Sequence, residues 1–136
     1  MFGLFKRKSE IKKLVEKTLK APEVLVEMVD EIKIKAKRVY HMTSIDGVGG
    51  WGNQIAFSGN DENLRSGSIV SMTGFKQNIP RVDDVVLARM RSGNVSLFVF
   101  TKIKKCKNPS DMFFADAVLI GYDMNFMYGE EERLIS

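Results

Sequence analysis

The pattern of apolar residues changes near residue 32, and this change constrains the fold more than any other feature of the chain. Between Ser9 and Lys20, apolar residues recur at helical spacing among lysines. From Ile32 to about Tyr122, short apolar or alternating runs are separated by turn-forming residues, a pattern typical of β-strands. The sequence therefore predicts an α+β fold in which helix precedes sheet.

The N-terminal segment, residues 1–31, is predicted to be helical. Ser9 is placed to cap an amphipathic helix, because the apolar residues after it have the spacing of one helical face. These residues are Ile11, Leu14, Val15 and Leu19. Pro22 ends this helix and is suited to opening a second helical turn, since a proline at the first helical position loses no needed donor. Residues 23–30 fit a helix or a strand, and we interpret them as a second helix.

Residues 32–122 are predicted to form a sheet of short strands. The predicted strands are residues 32–42, 54–58, 68–75, 84–90, 95–103 and 113–122. The connections between them leave too little room for crossover helices, which favours an antiparallel meander. We expect a five- to six-stranded antiparallel small β-barrel or curled sheet, SH3-like or OB-like, with one or two N-terminal amphipathic helices packed on it. Residues 123–136 are predicted to be an acidic C-terminal tail of the same single domain.

Positive charge is concentrated in the N-terminal part of the chain. Residues 1–40 carry eleven Lys or Arg against six Asp or Glu, and residues 41–136 carry ten against eleven. A basic arm of this kind attracts nucleic acid or an anionic surface. Its candidate contact residues are Lys6, Arg7, Lys8, Lys12 and Lys13. The alternative is that these lysines form the solvated face of a helix.

The predicted strand over residues 95–103 contributes a second candidate binding surface. If side chains alternate regularly along it, two aromatic and two basic residues share one face, namely Phe98, Phe100, Lys102 and Lys104. Aromatic rings beside lysines resemble the surfaces that bind single-stranded nucleic acid by stacking and charge. The alternative, favoured because the opposite face of the strand is apolar too, is that Phe98 and Phe100 are buried in the core.

A glycine-rich loop is predicted between the first two strands. Residues 47–52, Gly-Val-Gly-Gly-Trp-Gly, have the spacing of a dinucleotide-binding loop. That interpretation is disfavoured, because a strand is predicted to follow the loop where the dinucleotide fold requires a helix. Trp51 is a candidate contact anchor, since tryptophan is enriched at binding hot spots. The alternative is that Trp51 covers the core.

The residues that could support catalysis or metal binding are few. Cys106 and His41 are the one cysteine and the one histidine of the chain, the minimum for a nucleophile and its base. They are too few for a structural zinc site, which takes most of its ligands from these two residue types. We therefore predict no metal site and no cofactor. Because no nucleophile, base and orienting group can be assembled from the sequence, we also predict that the protein is not an enzyme.

The favoured hypothesis is a non-catalytic binding or assembly module that acts through protein–protein contacts, including self-association. The first alternative is nucleic-acid binding through the basic N-terminal helix and the strand face that carries aromatic rings and lysines. The second is a small enzyme that uses Cys106 and His41. Docking of residues 1–8 on a membrane surface is disfavoured, and no apolar run approaches the roughly 18 residues of a membrane span. The first residues lack the order of an export signal, so a cytoplasmic location is expected.

Overall fold

The computed structural model of the chain describes residues 9–42, 54–56, 63–75, 79–107 and 112–126. Two helices precede the strands, so the predicted α+β class is confirmed. The helices are α1 (Glu10–Lys20) and α2 (Val26–Lys35). The strands are β1 (Val39–Met42), β2 (Gln54–Ala56), β3 (Ile69–Phe75), β4 (Val85–Arg89), β5 (Val95–Lys105) and β6 (Met112–Tyr122).

The strands form one mixed sheet in the order β1-β4-β5-β6-β3-β2. β1 runs parallel to β4, and the other neighbouring pairs are antiparallel. The predicted antiparallel meander is therefore wrong, because β1 pairs with β4 and β3 pairs with β6. Within the described residues β1 and β2 stand at the two ends of the ladder and do not pair with each other, so a closed barrel is not confirmed.

Helix α1 begins where the sequence predicts it. The backbone N–H of Lys12 donates to the Ser9 hydroxyl at 3.0 Å, which is the hydrogen bond expected of an N-terminal cap. Ile11 and Val15 lie one turn apart and are buried against the sheet, whereas Lys12 and Lys13 are exposed. The amphipathic pattern of α1 therefore places its apolar side on the sheet and its lysines in solvent.

Helix α2 continues to Lys35, so the strand predicted over residues 32–42 is wrong over residues 32–38 and is observed only as Val39–Met42. The buried positions in this region are Val29, Ile32 and Ala36, which have helical spacing. Ile34 is 71% exposed and packs on nothing in the core. The sequence alternates here only because the exposed Ile34 lies between two lysines, and this produces the pattern typical of a strand with one solvent-exposed face.

Helix α2 has no side-chain cap at its N-terminus, and its position is set by packing against β6. It begins at Val26 and not at Pro22 as predicted, and its first turn receives no hydrogen bond from a capping side chain. At Gly121 of β6, an added Cβ atom would lie 3.2 Å from Val29 Cγ2 and 3.3 Å from Val24 Cγ1. The missing side chain at this position lets the helix approach the strand closely.

Both faces of the sheet are buried over most of its area. On one face the helices and strands share a helix-side cluster, which includes Ile11, Val15, Val29, Ile32, Leu97, Val99, Val118 and Ile120. On the other face lies a strand-side cluster, which includes Tyr40, Met72, Val86, Phe98, Phe100, Phe113 and Leu119. Its described members come from the strands and from flanking residues such as Leu64 and Ile79. Burial on both faces explains the continuous apolar run of β5 from Leu97 to Phe100.

The ladder between β5 and β6 contains a bulge at Thr101. The residue after Phe100 that pairs with β6 is Lys102, so Thr101 is an extra residue in β5. The Thr101 hydroxyl donates to the backbone carbonyl of Asp116 at 3.2 Å. Because of the extra residue, Phe100 and Ile103 both face the strand-side cluster, whereas Lys102 lies on the opposite face. Regular alternation therefore assigns the wrong face to the residues beyond the bulge.

The turn that follows β6 is anchored on α2. The Asp123 carboxylate is fully buried and accepts hydrogen bonds from Lys33 Nζ at 2.8 Å and from the Asn125 backbone N–H at 3.1 Å. The Asn125 side chain donates to Asp30 at 2.6 Å, and Lys33 Nζ lies 5.9 Å from the centroid of the Phe126 ring. The first residues of the predicted acidic tail are thus part of the folded unit.

Candidate binding surface

The strand face predicted to combine aromatic rings with lysines does not exist as a single surface. Phe98 and Phe100 are fully buried in the strand-side cluster, which confirms the alternative that they belong to the core. Lys102 and Lys104 are exposed on the opposite face of β5. The bulge at Thr101 separates the two pairs, so the proposed stacking role of the two phenylalanines is wrong.

Beyond the helices, the face that they cover continues across three neighbouring strands, where no described residue packs over it. We call this area the open sheet face. Its residues are Ile69, Ser71 and Thr73 on β3, Phe114 and Asp116 on β6, and Lys102 and Lys104 on β5. The helical layer ends next to Ile69, which is 65% exposed although its partner across the ladder, Val118, is buried in the helix-side cluster.

The outer row of the open sheet face is centred on Phe114. Phe114 is paired with Thr73 on one side and with Lys104 on the other. Directly opposed residues in antiparallel strands have their Cβ atoms about 5 Å apart, so both neighbours contact the ring. Phe114 is nevertheless 44% exposed, because nothing described covers it from above. The aliphatic part of Lys104 is able to lie along the ring while its ammonium group stays in water.

The inner row of the open sheet face carries opposite charges. Asp116 is paired with Ser71 on one side and with Lys102 on the other. The Ser71 hydroxyl lies 3.5 Å from Asp116 Oδ1, at the limit of a hydrogen bond. Within the described part of the chain, Lys102 and Lys104 form no ion pair. Together the rows line a shallow depression of about 230 Å³, and their lysines are available to a ligand.

The remaining predicted contact residues do not join this surface. Lys12 and Lys13 are exposed on α1, as their place on the polar side of the helix predicts. Four other candidates lie outside the described residues, namely Lys6, Arg7, Lys8 and Trp51.

The structure does not bring His41 and Cys106 together. His41 is opposite Leu87 on β4, and Leu87 is opposite Leu97 on β5. Cys106 follows β5 nine residues after Leu97, which corresponds to about 30 Å at about 3.3 Å per residue. The ring of His41 instead packs edge-on against Phe126, with ring centroids 5.8 Å apart. The two residues therefore cannot act as a nucleophile and its base in this fold.

Among the described residues, Asp84 is the buried acidic group with a shifted pKa, and its contacts serve the fold. Burial raises the pKa of Asp84 above its ordinary value, while the Arg81 backbone N–H, which donates to it at 2.8 Å, opposes the shift. Its neighbour Asp83 has a φ angle of 76° and accepts a hydrogen bond from the Ser9 hydroxyl at 2.6 Å. These contacts hold the turn before β4 against the start of α1, so the carboxylates of Asp83 and Asp84 are both engaged within the fold.

Among the described residues, no group of three or more His, Cys, Asp or Glu side chains is placed to hold a metal ion. The described helices are also too short, or too polar, to cross a membrane. Comparison with profiles of known protein families, with curated proteins and with solved structures found no match.

Sequence reasoning missed the residues of the open sheet face that lie on β3 and β6. A signal for one of them was present, because Asp116 follows Phe114 by two residues in an otherwise apolar run. A carboxylate in such a strand indicates that its face meets water, and Phe114 shares that face. Ser71 and Thr73 give a weaker signal of the same kind on β3.

Proposed function

We propose that the chain is a non-catalytic binding module that makes protein–protein contacts through the open sheet face. One observation carries this proposal. Phe114 lies on β6, which has a neighbouring strand on each side, yet it is 44% exposed in the middle of a face that no described residue covers. Large aromatic residues at central positions are the usual anchors of protein interfaces, since their burial contributes most of the binding energy.

The mixed composition of the face supports a protein partner. The surface combines the apolar Ile69 and Phe114 with two lysines, two hydroxyl groups and the carboxylate of Asp116. An apolar centre within a polar rim is the usual anatomy of such an interface. A surface that follows a nucleic-acid backbone is more uniformly positive, because each phosphate contact needs a cation.

A second candidate function, binding of single-stranded nucleic acid, is favoured by one specific contact. Lys104 stands directly opposite the exposed ring of Phe114, which is the combination of stacking platform and positive charge that such ligands use. Lys12 and Lys13 on α1 would add to the attraction. This candidate predicts binding that weakens steeply with added salt, because binding releases counterions from the nucleic acid.

The proposal extends to the role of the scaffold and to its compartment. We propose that the curled sheet serves as SH3-like and OB-like small barrels do, by presenting one face to a partner while its core remains closed. We also propose a cytoplasmic location. The lone cysteine, Cys106, supports it, because proteins of oxidising compartments usually pair their cysteines.

Photo-crosslinking tests the proposal. A photoreactive benzophenone amino acid replaces Phe114 in the full chain, and the same amino acid replaces Val82, which is 50% exposed, as the matched control. After irradiation in the native host, we expect adducts at position 114 that protease removes and nuclease leaves intact. Adducts that only nuclease removes would establish the second candidate instead. A yield at position 114 no higher than at position 82 would overturn both.

A further inference from the structure

We propose that the open sheet face binds residues 127–136 of a second copy of this chain. This inference rests on the proposed function and names its partner. The segment reads Met-Tyr-Gly-Glu-Glu-Glu-Arg-Leu-Ile-Ser, which combines three consecutive carboxylates with apolar residues on either side. The open sheet face offers two lysines beside exposed apolar side chains, and the Asp116 carboxylate on β6 lies beside Lys102.

The spacing of the charges matches as well as their sign. Lys102 and Lys104 are two residues apart on β5 and on the same face, so their Cα atoms are about 6.6 Å apart. Glu130 and Glu132 are also two residues apart, and in an extended segment their side chains point to the same side at the same distance. Each carboxylate therefore meets one ammonium group.

Apolar contacts continue the match beyond the charges. Leu134 follows Glu132 by two residues, so it is on the same side of an extended segment. Phe114 stands directly beside Lys104 and offers an exposed ring. Leu134 then lies about 6.6 Å past Lys104 and diagonal to Phe114, within reach of the ring, and their contact removes apolar area of both residues from water.

The geometry favours the segment of another copy over the chain's own. Phe126, the last residue described before the segment, lies beside Val95 at the start of β5. Lys102 is seven residues further along that strand, about 23 Å away, whereas Glu130 is four residues after Phe126 and reaches at most about 14 Å by backbone, so an own-chain contact needs a fully extended segment and both side chains fully stretched across the remaining distance. The helical layer also covers the intervening part of this face, at Val99. A second copy meets neither obstacle.

The face and the segment are different parts of the surface, and this sets the kind of assembly. Two copies that exchange segments form a closed pair with two equal contacts. If each copy instead binds its segment to the face of a third copy, the copies form an open linear assembly. Because each contact is small, the association is weak and depends on protein concentration.

Charge reversal in the full chain tests the inference by sedimentation over a range of concentrations. One variant carries Lys102→Glu and Lys104→Glu, and the other carries Glu130→Lys and Glu132→Lys. Each alone is expected to weaken self-association by about tenfold or more, because attraction at both pairs becomes repulsion. An equimolar mixture of the two variants restores it, since reversed face meets reversed segment and native face meets native segment. An own-chain contact is not restored by mixing.

Two controls separate specific pairing from general charge effects. Glu131→Lys changes the charge of the segment on its other side, and we expect a loss of less than about threefold. Lys12→Glu with Lys13→Glu changes the same total charge on α1 as the reversal on β5, with the same small effect expected. The inference is overturned if mixing fails to restore association, or if either control weakens it as much as the paired reversals do. Protease-sensitive adducts from other proteins at position 114 would then leave the proposed function standing.

Discussion

Substitution of Gly121 by alanine tests how closely α2 is docked on the sheet. The added Cβ atom would lie 3.2 Å from Val29 Cγ2 and 3.3 Å from Val24 Cγ1. Favourable contacts between carbon atoms lie at about 3.5 to 4.0 Å, so the helix or the valine side chains must move by a few tenths of an ångström. Val29 is 2% exposed and has little room to move.

Two opposing effects set the expected magnitude. Overpacking a tight core costs about 1 to 3 kcal/mol, and replacing a strand glycine by alanine contributes about 0.5 to 1 kcal/mol of stability. We therefore expect Gly121→Ala to lower the free energy of unfolding by about 1 kcal/mol. Val29→Ala removes the nearest methyl group and costs about 2 kcal/mol. In that background, Gly121→Ala should cost nothing, because the new methyl group occupies vacated space.

Urea unfolding of the wild type, the two single variants and the double variant measures this coupling. The midpoint of each transition gives the change in stability, provided that the slope is unchanged. Our reasoning predicts a double variant about 1 kcal/mol more stable than the sum of the single effects allows. Additive effects, within about 0.4 kcal/mol, would show that Gly121 does not set the distance between α2 and β6.

Three further predictions concern charge and burial. Because burial raises the pKa of Asp84 above its ordinary 3.8, the folded state holds this proton more tightly than the unfolded state, and the contribution of Asp84 to stability falls as the pH rises through the acid range. Asp84→Asn lacks this loss, so in urea titrations from about pH 3 to about pH 6 the free energy of unfolding of the variant should increase relative to that of the wild type. A difference that stays constant with pH would contradict this. Lys33→Met leaves the buried Asp123 carboxylate without its lysine and should cost about 3 kcal/mol. Adding Asp123→Asn should recover at least about 1 kcal/mol of that, and a further loss would refute the argument. Phe98→Ala should lower the unfolding free energy by about 4 kcal/mol and Phe114→Ala by less than about 1 kcal/mol, so equal losses in thermal unfolding would contradict the assigned faces.

Local features of the fold could be predicted because short-range rules determine them. The strand predicted over residues 84–90 is observed as Val85–Arg89, and the capped start of α1 at Ser9 is observed as well. At Ser9 the deciding contact is local, since the Lys12 backbone N–H donates to the hydroxyl three residues earlier, and β4 is marked by its own apolar run. Such contacts leave a direct trace in the sequence.

The order of the strands could not be predicted, because it depends on contacts between distant parts of the chain. β1 pairs with β4 more than 40 residues later, in parallel, with Val39 opposite Val85. Residues Val85 to Ala88 are all buried, so β4 shows no alternation that would say which face or edge it presents. The apolar run identifies a buried strand and leaves its neighbours undetermined.

The candidate surface was only half predictable for a related reason. Lys102 and Lys104 were identified from their place beside aromatic residues, although the aromatic ring on their face is Phe114 and not Phe98 or Phe100. Alternation predicts faces only while the ladder is regular, and one extra residue reverses the assignment of everything after it. Nothing in the local sequence identifies Thr101 as that residue.

The same extra residue determines where β5 tolerates a change in length. Removing Thr101 would remove the irregularity between Phe100 and Lys102 in the pairing with β6, with Ile103 still facing the core and Lys102 still facing water. Removing Val99 would move Phe100 to the opposite face of the sheet, away from the strand-side cluster. Deletion of Val99 should therefore prevent folding, whereas deletion of Thr101 should not. Single-residue gaps in homologous or engineered chains are therefore expected at position 101, where the strand already holds one residue more than its partner needs.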